Sequence, residues 1–151
     1  MFVLEPLCTM AAWAARNTAY NLDFIPDDRL NWKPADSANS ALEIVQHVGL
    51  AIQSMHRVLD GGEWSPIPPP LPANREEAKQ LLIESTDRYL ERVRALTPEE
   101  LSREVLIAGR FKFPLLRAAT MPMVDLVHHH GQIAYLQTLL GDTDFHFMPD
   151  M

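Results

Sequence analysis

Residues 125–132 have the sequence Asp125-Leu126-Val127-His128-His129-His130-Gly131-Gln132 and lie in a helical pattern near the end of the chain. Positions four apart share one face of a helix, so Asp125 and His129 are neighbours there. The same face continues through the apolar residues Ile133, Leu136 and Leu140. A carboxylate and an imidazole therefore stand together at the polar end of an apolar helix face, an arrangement typical of metal ligands.

The three consecutive histidines cannot all point toward a core. His128 and His130 lie about 100° to either side of His129 around the helix axis. Because the face through His129 is the one that continues into apolar residues, His129 is the strongest candidate ligand of the three.

An earlier helical pattern supplies a further imidazole, His47, whereas His56 lies on the opposite side of that helix and is expected to be solvated. If the two helices pack face to face, His47, Asp125 and His129 form a catalytic type of metal site with open positions for water and substrate. Spacing alone leaves open the alternative that these histidines are ordinary hydrogen-bonded helix residues.

Apolar spacing predicts four long helices, separated by loops that contain most of the twelve prolines. The first covers about residues 5–22. The second begins after Ser37 or Ser40, either of which can cap it, and stops at Gly61-Gly62. The third begins after Asn74, which has a glutamate three positions later.

The last helix ends near Leu140, and its start has two interpretations. It is either capped by Thr120, or it begins near Pro114 and kinks at Pro122. Four helices joined by loops of this length predict an all-α fold, a four-helix bundle with a crossover connection, in which a metal site lies between facing helices.

Three connecting segments have their own patterns. The proline-rich residues 65–72 cannot be helical and are expected to run as a strap across one end of the bundle. Residues 97–100 carry a capping signal for a short helical turn. Residues 104–114 contain β-branched and aromatic side chains around a glycine, which predicts a brief hairpin or an extended loop.

Size and charge limit the classes of function. A chain of 151 residues is expected to form one domain, residues 1–151, with one core. Its single cysteine, Cys8, excludes an intramolecular disulfide framework and favours the cytoplasm. The net charge of −7 argues against binding to nucleic acid or an anionic membrane, and no apolar run is long enough for a membrane span.

Two groups of motifs resemble the DinB/YfiT-like superfamily of small helical-bundle metalloproteins, over nearly the whole chain. The first is Leu30-Asn31-Trp32-Lys33-Pro34, ahead of the helix that carries His47. The second is His129-His130-Gly131-Gln132-Ile133, followed by Tyr135-Leu136 and Leu140-Gly141-Asp142. Each motif is weak by itself, and together they are fairly specific.

The resemblance implies a divalent metal held by one histidine of the second helix and two ligands of the last helix, four residues apart. These positions correspond to His47, residue 125 and His129. Residue 125 is aspartate where the family usually has histidine, which makes the site harder and more anionic, and still suited to nickel, zinc, manganese or iron. His128, on an adjacent face, is the alternative third ligand.

The same resemblance implies a metal-dependent enzyme, a transferase or hydrolase, that acts on a small electrophile with a low-molecular-weight thiol as cosubstrate. A bound metal lowers the pKa of a thiol or water and so creates a nucleophile. The alternative is a non-catalytic stress-response or binding bundle in which the metal is structural or absent.

The segment before the last helix gives two further expectations. Phe111, Phe113 and Leu116 have no strong helical pattern to bury them, which favours a homodimer interface. Arg110 and Lys112 are the clustered basic residues of this segment, and they are candidates to attract an anionic thiol toward the site.

Overall fold

The structure is a computed structural model that describes residues 3–148. Its helices are α1 (Glu5–Asn21), α2 (Ala41–Leu59), α3 (Arg75–Arg94), α4 (Pro98–Ser102) and α5 (Leu115–Leu139). Between α4 and α5 lies an antiparallel hairpin of β1 (Glu104–Ile107) and β2 (Phe111–Pro114). The four long helices enclose one apolar core, and α4 and the hairpin lie beside it.

Side-chain caps fix where the helices begin. At the start of α2, the Ser40 hydroxyl accepts from the Glu43 backbone N–H while the Glu43 carboxylate accepts from the Ser40 N–H. This reciprocal pair satisfies two N–H groups that the helix leaves free, and it selects Ser40 over Ser37 as the cap. Thr97 and Glu100 make the same pair at α4, as predicted.

Long-range contacts define the directions of the first three long helices. Arg94, at the end of α3, pairs with Glu5 at the start of α1 at 2.9 Å, so α1 and α3 are antiparallel. Arg92 donates to the carbonyl oxygen of Leu59 at 3.0 Å, which brings the C-terminal ends of α2 and α3 together. The consecutive helices α2 and α3 are therefore parallel to each other.

The last helix runs parallel to α1. Gln137 near the end of α5 donates to the carbonyl oxygen of Asn21 at the end of α1 at 3.2 Å. The bundle thus contains two helices in each direction, and the parallel pair α2 and α3 needs a connection that returns along the whole bundle. This arrangement confirms the predicted four-helix bundle with a crossover connection.

The proline-rich strap supplies that return. Ser54 donates to the carbonyl oxygen of Ser65, and Gln46 donates to that of Pro69 at 2.8 Å. Since Gln46 and Ser54 are about 12 Å apart along α2, the strap runs lengthwise along the helix, and the prediction that it crosses one end was wrong. Pro69 is buried against Gly49, where the missing side chain leaves room for its ring.

The hairpin interpretation of residues 104–114 is confirmed, with Ile107 opposite Phe111 across the turn. Helix α5 follows β2 directly at Leu115 and continues through Pro122, so the interpretation of a start near Pro114 is the correct one. Thr120 lies inside the helix, where its hydroxyl donates to the carbonyl oxygen of Arg117.

Tyr89 connects α3 to this part of α5. Its side chain is 0% exposed, and its hydroxyl donates to the carbonyl oxygen of Ala119 at 2.8 Å. Burial raises the pKa of Tyr89 well above its ordinary value, so the hydroxyl stays protonated and remains a donor. The bond fixes α5 less than one turn before Pro122, and the candidate site lies just beyond that point.

No helix within residues 3–148 is both long enough and apolar enough to cross a membrane.

Candidate metal site

The face-to-face packing of α2 and α5 brings the three candidate ligands together. The ligating atoms of His47, Asp125 and His129 all lie within 4.8 Å of one another. Asp125 Oδ1 is 3.3 Å from His129 Nε2, and Asp125 Oδ2 is 3.9 Å from His47 Nε2. Ligand atoms in a tetrahedral zinc site lie about 3.4 Å apart. The cluster is therefore close to the dimensions of a divalent-metal site.

Burial differs among the three side chains in a way that suits an accessible site. His129 is 6% exposed, Asp125 is partly buried, and His47 is exposed at the α2 edge. The site is closed on the core side by the bundle and open on the side of His47. The exposed edge of the cluster is therefore at His47.

Gln132 orients the buried imidazole. Its Oε1 lies 2.6 Å from His129 Nδ1, and because an amide oxygen only accepts, Nδ1 must carry the proton and donate. The lone pair of His129 is thereby placed on Nε2, the atom nearest Asp125. A hydrogen bond of this kind to the second ring nitrogen is the usual way a protein fixes a metal-binding histidine.

The charge of Asp125 changes the acidity of His129. Burial lowers the pKa of His129, but the negative charge of the nearby Asp125 carboxylate, together with the hydrogen bond to Gln132, outweighs burial and raises it above its ordinary value. In the protonated imidazole Nε2 also carries a proton, and a metal ion must displace it. Metal affinity at this cluster therefore falls as the pH falls.

Two donor atoms of the cluster are buried without a partner. Among residues 3–148, four buried side-chain nitrogen or oxygen atoms have no hydrogen-bond partner, and Asp125 Oδ2 and His129 Nε2 are two of them. Leaving a buried polar atom unsatisfied costs about 1–3 kcal/mol. One imidazole nitrogen and one carboxylate oxygen, both unsatisfied and adjacent, fit a divalent cation between them.

Comparison with known proteins agrees with this architecture. The sequence profile of the DinB superfamily matches residues 10–133, a range that includes all three candidate ligands. The chain belongs to the DinB superfamily. The resemblance seen in the sequence motifs is thereby confirmed.

Two relatives of this DinB-superfamily protein come from Bacillus. The uncharacterized protein YjoA of Bacillus subtilis (strain 168) is 25% identical over 125 residues, which cover 82% of this chain and 81% of YjoA. The crystal structure of YjoA, a DinB-like protein, superposes with a TM-score of 0.74 at 23% identity, covering 95% of this chain and 96% of that one. A DinB-like protein from Bacillus cereus ATCC 10987 gives 0.72 at 18% identity, covering 95% and 97%. These structures show the shared fold.

The other histidines of the DinB-superfamily chain lie outside the cluster. His128 is exposed, and Gln132 Nε2 lies 3.0 Å from its Nε2. His130 packs edge-on against Trp13 at 5.3 Å, and burial lowers its pKa. His56 lies on the far side of α2 as expected, but it is half-buried rather than solvated, with Nδ1 3.4 Å from Asp60 Oδ2.

A cavity of about 570 Å³ reaches Gln132, the residue that contacts His129, although none of the three candidate ligands lines it. Its lining comes from the loop before α2, from α2 and from α5, and the residues are Pro34, Ser37, Ala38, Asn39, Ile44, His128, Gly131, Gln132, Tyr135 and Leu136. Sequence reasoning did not identify this cavity, because it depends on how the loop folds over α5. The available signal was the Trp32-Lys33-Pro34 motif, whose proline is part of the lining.

The basic residues of the hairpin do not line this cavity. The Arg110 guanidinium lies 4.4 Å over the ring of Phe111 at the hairpin turn. The hairpin borders a different cleft, which it shares with Val58 and Trp64. Val58 is three turns along α2 from His47. The expectation that Arg110 and Lys112 attract an anion toward the site therefore finds no support in the packing.

Proposed function

We propose that His47, Asp125 and His129 bind one divalent metal ion, and that the protein is a metal-dependent enzyme that joins a low-molecular-weight thiol to a small electrophile. The observation that carries the proposal is the pair of buried, unpartnered donor atoms, Asp125 Oδ2 and His129 Nε2, beside the imidazole of His47. A divalent metal held there would lower the pKa of a bound thiol or water, and so supply a nucleophile near neutral pH.

The ligands themselves favour an anionic nucleophile. Two neutral imidazoles and one carboxylate offset one of the two positive charges of a divalent ion, so the site retains about one positive charge. Three protein ligands also leave positions for exogenous groups, which is typical of catalytic sites, whereas structural zinc sites are closed by four. The exposure of His47 supplies the entry side.

The adjacent cavity supports a small substrate with an apolar body. Its walls combine Ile44 and Leu136 with the polar tips of His128, Gln132 and Tyr135. Ligand-binding cavities of similar size commonly pair an apolar lining with a few polar groups. We assign the electrophile to this cavity, with its reactive atom toward His128 and Gln132.

Metal content is the first test of the proposal. The protein is purified without a polyhistidine tag, and bound metal is measured by elemental analysis. We expect one divalent ion per chain, loss of the ion in His129→Ala, and retention in His56→Ala, because His56 lies on the opposite side of α2. Equal metal content in the two variants would contradict the assignment.

Activity is the second test. Metal-loaded protein and a thiol such as glutathione are mixed with a halonitrobenzene, and product formation is compared with thiol alone. We expect an excess rate that needs both metal and thiol and disappears in His129→Ala. A stoichiometric metal without any such rate, across a panel of thiols and electrophiles, would favour metal-assisted hydrolysis or the non-catalytic stress-response bundle. Stability that is indifferent to a chelator would favour the latter.

The proposal also includes the cellular compartment, the domain organisation and the oligomeric state. We place the protein in the cytoplasm, as one domain over residues 1–151 and as a homodimer. The single cysteine, Cys8, is free and buried in the core, which is consistent with a reducing compartment.

A further inference from the structure

A second cleft lies on the opposite side of α2 from the candidate metal site. It has a volume of about 390 Å³, and it is bordered by Ile52, Gln53, His56, Arg57, Ser85 and Arg88. His56 is nine residues from His47, so the two side chains point about 180° apart around α2 and lie about 13.5 Å apart along it. The two sites are therefore separated by the body of one helix.

The parallel packing of α2 and α3 produces this cleft. Leu59 lies beside Arg92, and the rings of His56 and Tyr89 are 6.4 Å apart, so residues 33 positions apart in sequence are at the same level. Ile52 and Ser85, related by the same offset, are both buried and form the floor. Longer polar side chains from the next turn of each helix form the rim.

The two arginines at the rim, Arg57 and Arg88, have neither an acidic partner nor an aromatic one among residues 3–148. Of the thirteen lysines and arginines, seven form ion pairs among residues 3–148: Arg16, Arg29, Lys33, Arg75, Lys79, Arg92 and Arg94. Three others have different contacts. Arg103 donates to a backbone carbonyl oxygen, and Arg110 and Arg117 lie over phenylalanine rings.

Arg57 and Arg88 both line the cleft, and neither has a carboxylate within 4.0 Å in the described part of the chain. Arg88 donates only to the carbonyl oxygen of Glu84 in its own helix, at 3.3 Å. In a protein with a net charge of −7, unpaired arginines would be expected to attract acidic neighbours. Two of them bordering one cleft leave a local excess of positive charge.

Two acidic side chains on or next to the helices that form the cleft, Asp60 and Glu84, already have partners. Asp60 accepts from Arg92 at 2.8 Å and lies 3.4 Å from His56. Glu84 accepts from Gln80 at 2.8 Å. These carboxylates offset part of the field at the rim. The Arg57 guanidinium makes no hydrogen bond among residues 3–148, and Arg88 uses only its Nε, so its two Nη groups keep their donors free.

We propose that this cleft is a binding site for a small oxyanion, a phosphate or carboxylate group, held between Arg57 and Arg88. The planar guanidinium fork matches both kinds of group. Gln53, which makes no side-chain hydrogen bond among residues 3–148, has an amide N–H free to donate to the same anion. Ile52 offers an apolar floor for the body that carries the anionic group.

Titration of the full-length, chelator-treated protein by amide NMR tests the proposal. Inorganic phosphate and acetate are added in separate arms at constant ionic strength, which is maintained with sodium chloride. We expect saturable shifts centred on Gln53, Arg57, Ser85 and Arg88, and the arm with the higher affinity identifies the preferred oxyanion. Arg57→Gln and Arg88→Gln should each weaken binding about tenfold, the effect of removing one charge-assisted contact.

Lys112→Gln is the matched control. It removes one exposed positive charge on the hairpin, outside the cleft, and should leave the affinity unchanged. Equal affinity in the wild-type protein and the Arg57→Gln/Arg88→Gln double variant, or no saturable shift with either anion, would overturn the proposal. His129→Ala should bind the anion like the wild-type protein, so failure of the metal proposal is distinguishable from failure of this one.

Discussion

Asp125 is the residue that connects the candidate ligands, since its two oxygens lie near His129 and His47 respectively. In Asp125→Ala we expect weaker metal binding, because both an oxygen ligand and a negative charge are lost. In Asp125→His we expect binding to be retained, with a shift in preference toward softer ions such as zinc or nickel.

Competition titration with a metal-sensitive chelating dye measures both variants. Asp36→Ala, which removes an exposed carboxylate in the loop before α2, controls for the change in net charge. If Asp125→Ala and Asp36→Ala bind metal equally well, Asp125 is not a ligand.

Gln132 acts on the metal site through His129, whose ring it holds by the hydrogen bond to Nδ1. Gln132→Leu keeps a side chain of similar size but frees the ring to rotate and to change tautomer. We expect metal affinity to fall about 10–100-fold, and the ¹⁵N shifts of the His129 imidazole in the metal-free protein to show a mixture of tautomers.

The same substitution at Gln80 provides the control. Gln80 is exposed on α3 and also makes one side-chain hydrogen bond, to Glu84. Gln80→Leu should not change metal affinity. An unchanged affinity and a single His129 tautomer in Gln132→Leu would exclude the positioning role.

At the scale of elements, local chemistry made much of the fold predictable, and tertiary contacts account for the rest. Ser40 and Thr97 cap their helices through residues three positions away, so their roles are readable from the sequence. The start of α5 at Leu115 depends on a distant partner, because the Leu115 N–H donates to the carbonyl oxygen of Arg103 across the base of the hairpin at 2.7 Å. The path of the strap likewise depends on its contact with Gly49.

The candidate site was also predictable only in part, because one pair of ligands follows from local sequence and the third depends on tertiary packing. Asp125 and His129 are one helical turn apart, and their proximity follows from the helix alone. Their approach to His47 required the packing of α2 on α5, which the sequence indicated only through family resemblance. Gln132 is three residues from His129, and that spacing was a signal for a supporting hydrogen bond that the sequence interpretation did not use.

Gly49 allows a prediction for the strap. A Cβ at this position would lie 3.1 Å from Pro69 Cγ and 3.2 Å from Leu81 Cδ2, so alanine requires the Pro69 ring or the Leu81 side chain to shift by a few tenths of an ångström. At Gly131, also in a helix, a Cβ would meet no atom within 4 Å. Gly131→Ala should raise the free energy of unfolding by up to about 1 kcal/mol through helix propensity.

In Gly49→Ala, crowding against Pro69 and Leu81 should offset the stabilisation from helix propensity. We therefore expect this variant to be less stable than Gly131→Ala by about 1 kcal/mol or more. Urea unfolding of both variants gives the comparison. Equal stabilisation would mean that the strap yields to the added methyl group without cost.

At the scale of the whole molecule, the end of the bundle that carries the hairpin presents apolar surface. Phe111 is 43% exposed and Leu116 is 38% exposed, while Phe113 is partly buried against the core. We predict a homodimer through this end, with burial of these side chains as the driving force. Light scattering at micromolar concentration should give twice the chain mass of 17.1 kDa.

Phe111→Ser should shift that mass toward the monomer, whereas Phe145→Ser, at an exposed aromatic residue in the tail, should not. A monomer mass for the wild-type protein would reject the prediction.

The position of the candidate ligands on α2 and α5 also has a consequence for folding kinetics. His47 and Asp125 are 78 residues apart in sequence, so their atoms meet only after α5 has docked on α2. Bringing such distant segments together costs loop-closure entropy before their contacts are gained, and we expect the ligand atoms to reach coordinating distance only in the fully packed native bundle. An ion that bridges them should therefore slow the unfolding of the native bundle and leave the rate of refolding nearly unchanged.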